Sequence, residues 1–207
     1  MRLFVGITPS PEALAHAAGA VDRRVGRAAP DGLDRRVGRA APDGLDRIAS
    51  TTPDMRWVSS ERWHVTLAFL GEVHPDRIPG LRARLDDVAA QHPPLGLRLA
   101  GAGAFRGVLW LGVQPTARHS PADRLARAVQ RQMRAMGIPV ERRPWRAHLT
   151  VARWRPSAER DAAAQGVADS LAGYAGPAFD VLEIHLVHSI TGPFPSHNHI
   201  HVARLGD

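Results

Sequence analysis

Apolar residues recur along this chain in two patterns, short runs typical of strands and helically spaced positions typical of amphipathic helices. The runs predict seven strands, at residues 3–7, 63–70, 95–100, 108–113, 146–152, 180–187 and 200–205. The helical spacing predicts four helices, at residues 11–23, 76–91, 122–136 and 157–171. The third helix is expected to stop at Gly137, a residue type that ends helices readily. The order of the elements reads as two similar halves.

Length and composition place the chain among ordinary soluble domains. Its 207 residues suffice for one sizeable core, and 44% hydrophobic with 23% charged residues disfavours disorder. No apolar run approaches the roughly 20 residues of a membrane span, and the apolar start is too short for a signal peptide. The chain has no cysteine, which excludes disulfides, thiolate metal sites and a cysteine nucleophile. We therefore expect a single, unexported, cytoplasmic domain.

One segment departs from this plan, a tandem duplication of twelve residues. Residues 22–33 recur without change as residues 34–45. Each copy contains Pro-Asp-Gly, which is turn chemistry, and too few apolar residues for a repeat fold. Long surface loops add little closure entropy. The duplication is predicted to be a surface insertion, mobile between about residues 24 and 52.

The charge balance is basic and consists of arginine alone. The 27 basic residues are all Arg, against 20 acidic residues, which gives a net charge of +7. Guanidinium groups bind phosphate through two hydrogen bonds and stack on bases, so the balance favours a polyanionic partner. A GC-rich genome, whose codons replace Lys with Arg, explains the same composition, and composition alone does not decide between the two.

Two copies of one short motif carry the candidate chemistry. His64-Val65-Thr66-Leu67 lies in the first half and His148-Leu149-Thr150-Val151 in the second. On a strand, the His and Thr of each copy face one side and the two apolar residues face the core. Random placement would give only roughly 0.07 copies of this pattern. The alternative is a purely structural role, in which each His and Thr is an ordinary half-buried strand residue.

Two such strands side by side would surround a tetrahedral anion with two imidazoles and two hydroxyl donors. In-line displacement at phosphorus needs a base on one side and an acid on the other, and two histidines can serve as both. We assign His148 as the base and His64 as the acid. The motifs are nearly symmetric, so these two roles could be exchanged.

The paired motifs resemble the two-histidine (2H) phosphoesterase superfamily, and the longer match resembles its bacterial and archaeal RNA 2',3'-cyclic phosphodiesterases, also called 2'-5' RNA ligases. The similarity extends to Arg2-Leu3-Phe4-Val5, the run from Ala68 to Gly71, and the segment around Trp110. It implies an α+β fold of two lobes, with two pseudo-symmetric, antiparallel-rich sheets around a central cleft and helices outside. It also implies metal-independent hydrolysis of a terminal 2',3'-cyclic phosphate to a 2'-phosphate, with reversible 2'-5' ligation, by a cofactor-free monomer.

The resemblance implies roles for individual residues. His64 and His148 are the expected catalytic pair, and Thr66 and Thr150 are expected to bind the phosphate. Arg153 matches a family arginine that holds the nucleotide end. As the fifth residue after His148 it would face the wrong side of a regular strand, so it must lie beyond the strand or after a bulge.

One further aromatic side chain and one rival site complete the candidates. Phe69, five residues after His64, is expected to contact the terminal base, with core packing as the alternative. His197, His199 and His201 alternate near the C-terminus, close in sequence to His185 and His188. Three imidazoles on one strand face could bind zinc. The other readings are therefore a metal-dependent hydrolase using this cluster and a non-catalytic RNA-end binding module.

Overall fold

The structure of the protein is a computed structural model that describes residues 1–25, 55–116 and 122–206. In these ranges the chain forms four α-helices, which are α1 (Pro11–Val25), α2 (Ile78–Ala89), α3 (Ala122–Ala135) and α4 (Ala158–Ser170). It also forms nine strands, which are β1 (Arg2–Ile7), β2 (Arg56–Trp57), β3 (Val65–Glu72), β4 (Leu95–Phe105), β5 (Val108–Pro115), β6 (His148–Arg153), β7 (Ala175–Val181), β8 (Glu183–Ile190) and β9 (Ser196–Arg204).

The predicted helices and strands are found, except that one predicted strand is divided into two and one short strand was not predicted. The single strand expected at residues 180–187 is wrong, because β7 ends at Val181 and β8 begins at Glu183. Leu182 between them is 60% exposed, so the apolar run passes from one strand to another through a surface position. Strand β2 has only two residues and lacks a periodicity that sequence could reveal. The predicted end of α3 is confirmed, since Gly137 follows it with a φ of 75°.

All nine strands belong to one antiparallel sheet. The order is β7-β4-β5-β6-β3-β1-β8-β9, and β2 pairs with β6 outside this path. A central seam between β6 and β3 divides the sheet into two groups of four strands, and the groups are joined there by hydrogen bonding. The α+β class and the two-lobed plan are thus confirmed, with the two expected sheets continuous at the seam.

The two lobes are not the two halves of the chain. Helices α2 and α3 pack on the β3-β1-β8-β9 side, whereas α1 and α4 pack on the β6-β5-β4-β7 side. Helix α1 follows β1 but packs on the other side of the seam, whereas β8 and β9 lie on the same side as β1. The chain therefore crosses the seam repeatedly. Each lobe therefore holds elements from both ends of the sequence, which ties the two sides of the seam together.

Most of the predicted surface insertion lies outside the described residues. The start of the first copy, residues 22–25, is the last turn of α1, where Val25 is fully buried. The remainder of the duplication, and the mobility expected up to residue 52, fall on residues that the structure does not describe. None of the described helices has both the length and the apolar composition needed to cross a bilayer.

Candidate active site

Strands β3 and β6 lie side by side at the seam, and one residue pair joins them. Val65 pairs with Leu149 in antiparallel register, and both side chains are fully buried. His64 directly precedes Val65, and His148 directly precedes Leu149. Successive side chains of a strand point to opposite faces, so both histidines lie on the face away from the core.

The same register brings the threonines of the motifs beside the histidines. Counting one residue outward from the joining pair sets His64 opposite Thr150. Counting in the other direction sets Thr66 opposite His148. Directly opposite Cβ atoms lie about 5 Å apart and diagonal neighbours about 7–8 Å. All four side chains are half-buried, and the structure thus places the four predicted residues together on one face of the seam.

Each histidine ring is held in the same way by the chain just before it. The Nδ1 of His64 lies 2.8 Å from the carbonyl oxygen of Arg62, and the Nδ1 of His148 lies 2.8 Å from that of Arg146. A carbonyl only accepts, so Nδ1 carries the proton and donates in both rings. In the neutral form each Nε2 then carries a lone pair. Both rings are therefore oriented to exchange a proton through Nε2.

Different aromatic neighbours surround the two rings. Phe4, only 3% exposed, stacks on His64 with ring centroids 4.2 Å apart and planes 25° apart. His148 makes edge contacts instead, 5.8 Å from Phe105 and 6.5 Å from Trp110. Phe105 is 49% exposed, so the His148 side of the cleft is the more open one.

Burial lowers the pKa of His64 from its ordinary value of 6.5 to about 4. The hydrogen bond to the Arg62 carbonyl acts in the opposite direction, because it favours the charged ring. The charges of His197, Arg153 and His148 lower the pKa of His64 further, in that order. Their influence shows that these groups share one electrostatic environment. His64 is neutral at pH 7.

A bulge in β6 turns Arg153 toward the cleft. Trp110 of β5 pairs with Thr150, but the next residue, Leu109, pairs with Ala152. Val151 is thus the extra residue, and both it and Ala152 are buried. A one-residue bulge reverses the alternation beyond it, so the side chain of Arg153 lies on the same side as that of Thr150. The bulge that this role requires is present.

Strand β3 carries the equivalent bulge. Gly6 of β1 pairs with Thr66, and its neighbour Val5 pairs with Ala68, which leaves Leu67 as the extra residue. Phe69 then faces the cleft side and is 46% exposed, so core packing does not account for it. The two central strands are therefore alike in backbone over six residues, with Phe69 and Arg153 in equivalent places.

The two bulges place a basic and aromatic rim beside the motifs. The guanidinium of Arg2 lies 5.0 Å from the ring centroid of Phe69, a cation–π contact. Partial burial and the charge of Arg2 lower the pKa of Arg153, so this second guanidinium is close by. The rim combines two positive charges with an exposed ring that can stack on a base.

The C-terminal histidines do not form the rival cluster, because a bulge in β9 breaks their alternation. His199 pairs with Val187 and His201 with Leu186, adjacent residues of β8, so these two rings face opposite ways. The Nε2 of His201 lies 2.7 Å from Asp86. His199 stacks on His185 at 4.2 Å. Among the described residues no group of three or more His, Asp or Glu could hold a metal ion.

The third member of that cluster, His197, is a site residue that sequence reasoning missed. Its ring is 4.9 Å from that of His64 and 5.1 Å from that of Phe4, edge-on to both. Strands β1 and β8 separate β9 from β3, which amounts to about 14 Å in a flat sheet. The sheet therefore curls to bring His197 over His64. Alternating histidines on β9 gave a signal of function, but not of this neighbour.

Two more missed residues replace strand pairing where β3 leaves β6. The indole Nε1 of Trp145 donates to the Thr66 carbonyl at 2.7 Å, and the amide of Gln130 donates to the Leu67 carbonyl at 3.0 Å. These bonds satisfy two backbone carbonyls of β3 directly after Val65, the one described position at which β3 pairs with β6.

The curled antiparallel sheet and its two His-x-Thr strands define the class of two-histidine phosphoesterases. Residues 30–193 match the family model of the 2'-5' RNA ligase superfamily. The match covers more than half of the chain, so the chain belongs to this superfamily. The predicted resemblance is confirmed.

Several curated relatives carry the name RNA 2',3'-cyclic phosphodiesterase. The protein from Geobacillus stearothermophilus is 36% identical over 116 residues, which are 53% of this chain and 36% of that protein. The protein from Archaeoglobus fulgidus is 30% identical over 132 residues, which are 61% of this chain and 68% of the relative. The match thus spans only about a third of the length of the Geobacillus relative.

Solved structures agree on the fold. The protein TT0787 of Thermus thermophilus aligns with a TM-score of 0.70 and 21% identity over 100% of both chains. E. coli LigT complexed with 3'-AMP aligns with a TM-score of 0.70 and 20% identity over 100% of this chain and 98% of LigT. These likenesses show that the lobed architecture is shared.

Proposed function

We propose that this protein hydrolyses 2',3'-cyclic phosphate at RNA ends to a 2'-phosphate by two-histidine acid–base catalysis. The observation that carries the proposal is the pair of His-x-Thr strands, which face one cleft with the same Nδ1 anchoring and with both Nε2 atoms left for proton transfer. Curated relatives named RNA 2',3'-cyclic phosphodiesterase support the choice of substrate.

The threonines and the rim would hold the substrate. Hydroxyl groups of Thr66 and Thr150 donate to the two non-bridging phosphate oxygens, one from each strand. Arg153 offsets the phosphate charge through a charge-assisted hydrogen bond. Phe69, with Arg2 on one side of its ring, stacks on the terminal base. These contacts set the phosphorus between the two imidazoles.

The environments of the histidines favour the exchanged assignment of roles, with His64 as base and His148 as acid. His64 is neutral at pH 7 because burial lowers its pKa, so its Nε2 can accept a proton from water. The water oxygen attacks phosphorus, and the P–O3' bond breaks. The more open His148, in the imidazolium form with a second proton on Nε2, donates that proton to the departing O3', which leaves a 3'-hydroxyl and a 2'-phosphate.

The same geometry would support ligation. If the 5'-hydroxyl of a second RNA replaces water, its attack on phosphorus with loss of O3' forms a 2'-5' linkage. That reaction needs a second RNA end held in place, so hydrolysis is expected to dominate in water. We place this activity in the cytoplasm, in a monomer.

The decisive experiment is incubation of the protein with an oligoribonucleotide that ends in 2',3'-cyclic phosphate, with and without EDTA. We expect a 2'-phosphate product, identified by its resistance to a 3'-specific phosphatase, and equal rates with chelator. A 3'-phosphate product contradicts the proposed geometry of attack. Loss of activity with EDTA and its rescue by zinc favour a metal-dependent hydrolase instead. Tight binding without turnover favours an RNA-end binding module.

A further inference from the structure

A basic groove lies outside the catalytic cleft, on α3 and the loop before β6. It encloses about 620 Å³, and four arginines line it: Arg127 and Arg134 of the helix, and Arg142 and Arg143 of the loop. Asp123 is the one carboxylate among the described lining residues. We call this feature the arginine groove.

Internal ion pairs neutralise only part of its charge. Arg127 and Asp123 are 3.8 Å apart and both well exposed, so their pair is weak. Arg143 forms an ion pair with Glu141. Within the described residues, Arg142 and Arg134 have no carboxylate partner, although Arg134 donates to the Glu141 carbonyl at 3.4 Å. The groove therefore keeps a positive excess for a ligand.

The composition of the groove fits single-stranded nucleic acid. Guanidinium forks bind phosphodiester oxygens, and four of them in one groove suit a ligand with repeated anionic groups. Trp145, half-buried, also lines the groove, and aromatic rings beside positive charges are typical of sites that bind single strands. A lone phosphate would need fewer arginines, placed around one point.

Two residues that line the arginine groove also contact strand β3 of the candidate active site. Trp145 and Gln130 line the groove and donate to backbone carbonyls of β3, one of them the carbonyl of Thr66. The chain then passes through Arg146, whose carbonyl holds the ring of His148. His148 follows Arg143 by five positions, at most about 18 Å of extended chain. An RNA chain whose 3' end lies in the cleft would need only a few nucleotides to span this distance.

We propose that the arginine groove binds the phosphodiester backbone of the RNA strand whose 3' end occupies the cleft. The proposal rests on the proposed function for the identity of that strand. It divides recognition between two places: the cleft takes the terminal cyclic phosphate, and the groove takes internal phosphates on its 5' side. Oligonucleotides gain affinity from the groove, whereas mononucleotides do not.

The test compares two double variants that each remove two positive charges. R127Q with R142Q alters the groove, and R82Q with R84Q alters the exposed face of α2 as a matched control. Substrates are a cyclic-phosphate-ended decaribonucleotide and 2',3'-cyclic CMP. We expect the groove variant to raise KM for the decamer roughly 10-fold and to change kcat/KM for cyclic CMP less than about twofold. The control should alter neither substrate by more than that.

Binding measured without catalysis separates this proposal from the proposed function. Fluorescence anisotropy with a decaribonucleotide ending in a plain 3'-hydroxyl should show a salt dependence that the groove variant reduces by about 1.4 in log–log slope, for two lost phosphate contacts. An equal loss in groove and control variants overturns the proposal, as does an unchanged slope. ATP serves as a second probe. If the groove variant weakens the binding of ATP but not that of the decaribonucleotide, the proposal is also overturned. An inactive protein that still shows the slope difference refutes only the hydrolase.

Discussion

The two histidine motifs share a backbone but differ in surroundings. Both rings are fixed by a hydrogen bond from Nδ1 to the carbonyl two residues earlier, and both strands carry a bulge after the threonine. His64, however, lies under Phe4 and beside His197, whereas His148 meets exposed Phe105. A repeated motif thus creates the symmetry of the site, and distant elements break it. The lowered pKa of His64 arises from burial and from neighbouring charges, most of which lie outside its own motif.

The comparison is tested most strongly by removing each ring in turn. H64A and H148A should each lower kcat on a cyclic-phosphate substrate by about 10²- to 10⁴-fold, because general acid–base catalysis contributes that much. H74A, at a ring with 73% of its side chain exposed, is the control and should keep full activity. Retention of wild-type turnover in H148A would contradict two-histidine catalysis.

The threonines should show the symmetric part of the comparison. T66V and T150V each remove a hydroxyl donor to a charged phosphate, which corresponds to about 1.5–3 kcal/mol, or roughly 10- to 150-fold in kcat/KM. Valine keeps the β-branched shape of threonine on the strand. Similar losses in the two variants, measured by steady-state kinetics, support equivalent roles. A large loss in one and none in the other means that only one lobe holds the phosphate.

The burial of His64, which distinguishes its motif from that of His148, predicts that the stability of the protein depends on pH. An exposed histidine in the unfolded chain takes up a proton near pH 6.5, whereas burial holds the pKa of His64 near 4 in the folded protein. The unfolded state therefore binds more protons between these values, and stability is lost as pH falls from 6.5 toward 4. The loss attributable to this ring is on the order of 3 kcal/mol.

Urea unfolding of the wild type and of H64Q at pH 7.5 and pH 4 measures this contribution. The glutamine variant should lose less stability over the interval, while the lowered pKa values of His197 and His199 leave a smaller dependence in both proteins. Equal pH dependence in the two proteins would show that His64 is not protected from protonation.

The smallest expected effect concerns His197, which stands beside only one of the two motifs. H197F keeps a ring over Phe4 but removes a charge that lowers the pKa of His64. With His64 as base, the acid limb of the pH profile of kcat/KM should move upward by less than about one unit. F105L, beside His148, is the matched variant and should leave that limb in place. A shift in F105L alone would reverse the assignment of base and acid.

Much of the site follows from local sequence rules. Strand alternation alone places His64 with Thr66 and His148 with Thr150 on one face. The position of Arg153 also carries information, because an arginine at this odd spacing reaches the cleft face only after the bulge that the structure contains. Which of these side chains share a face can be predicted because it depends only on neighbouring residues and the period of a strand.

The remainder depends on which strands lie next to each other. Phe4 and His197 reach His64 only through the order β3-β1-β8-β9 and the curl of the sheet, and neither is encoded near residue 64. Trp145 and Gln130 matter because β3 and β6 pair at a single position, which no periodicity reveals. The division at Leu182 was missed for a similar reason, since an apolar run looks the same whether one strand or two contain it.

The bulges of β3 and β6 decide which side chains beyond the motifs face the cleft. Deletion of Val151 would remove the extra residue of β6 and rotate the guanidinium of Arg153 to the opposite face. The same holds for Leu67 and the ring of Phe69. The number of residues between motif and rim therefore sets the face on which the rim side chains lie.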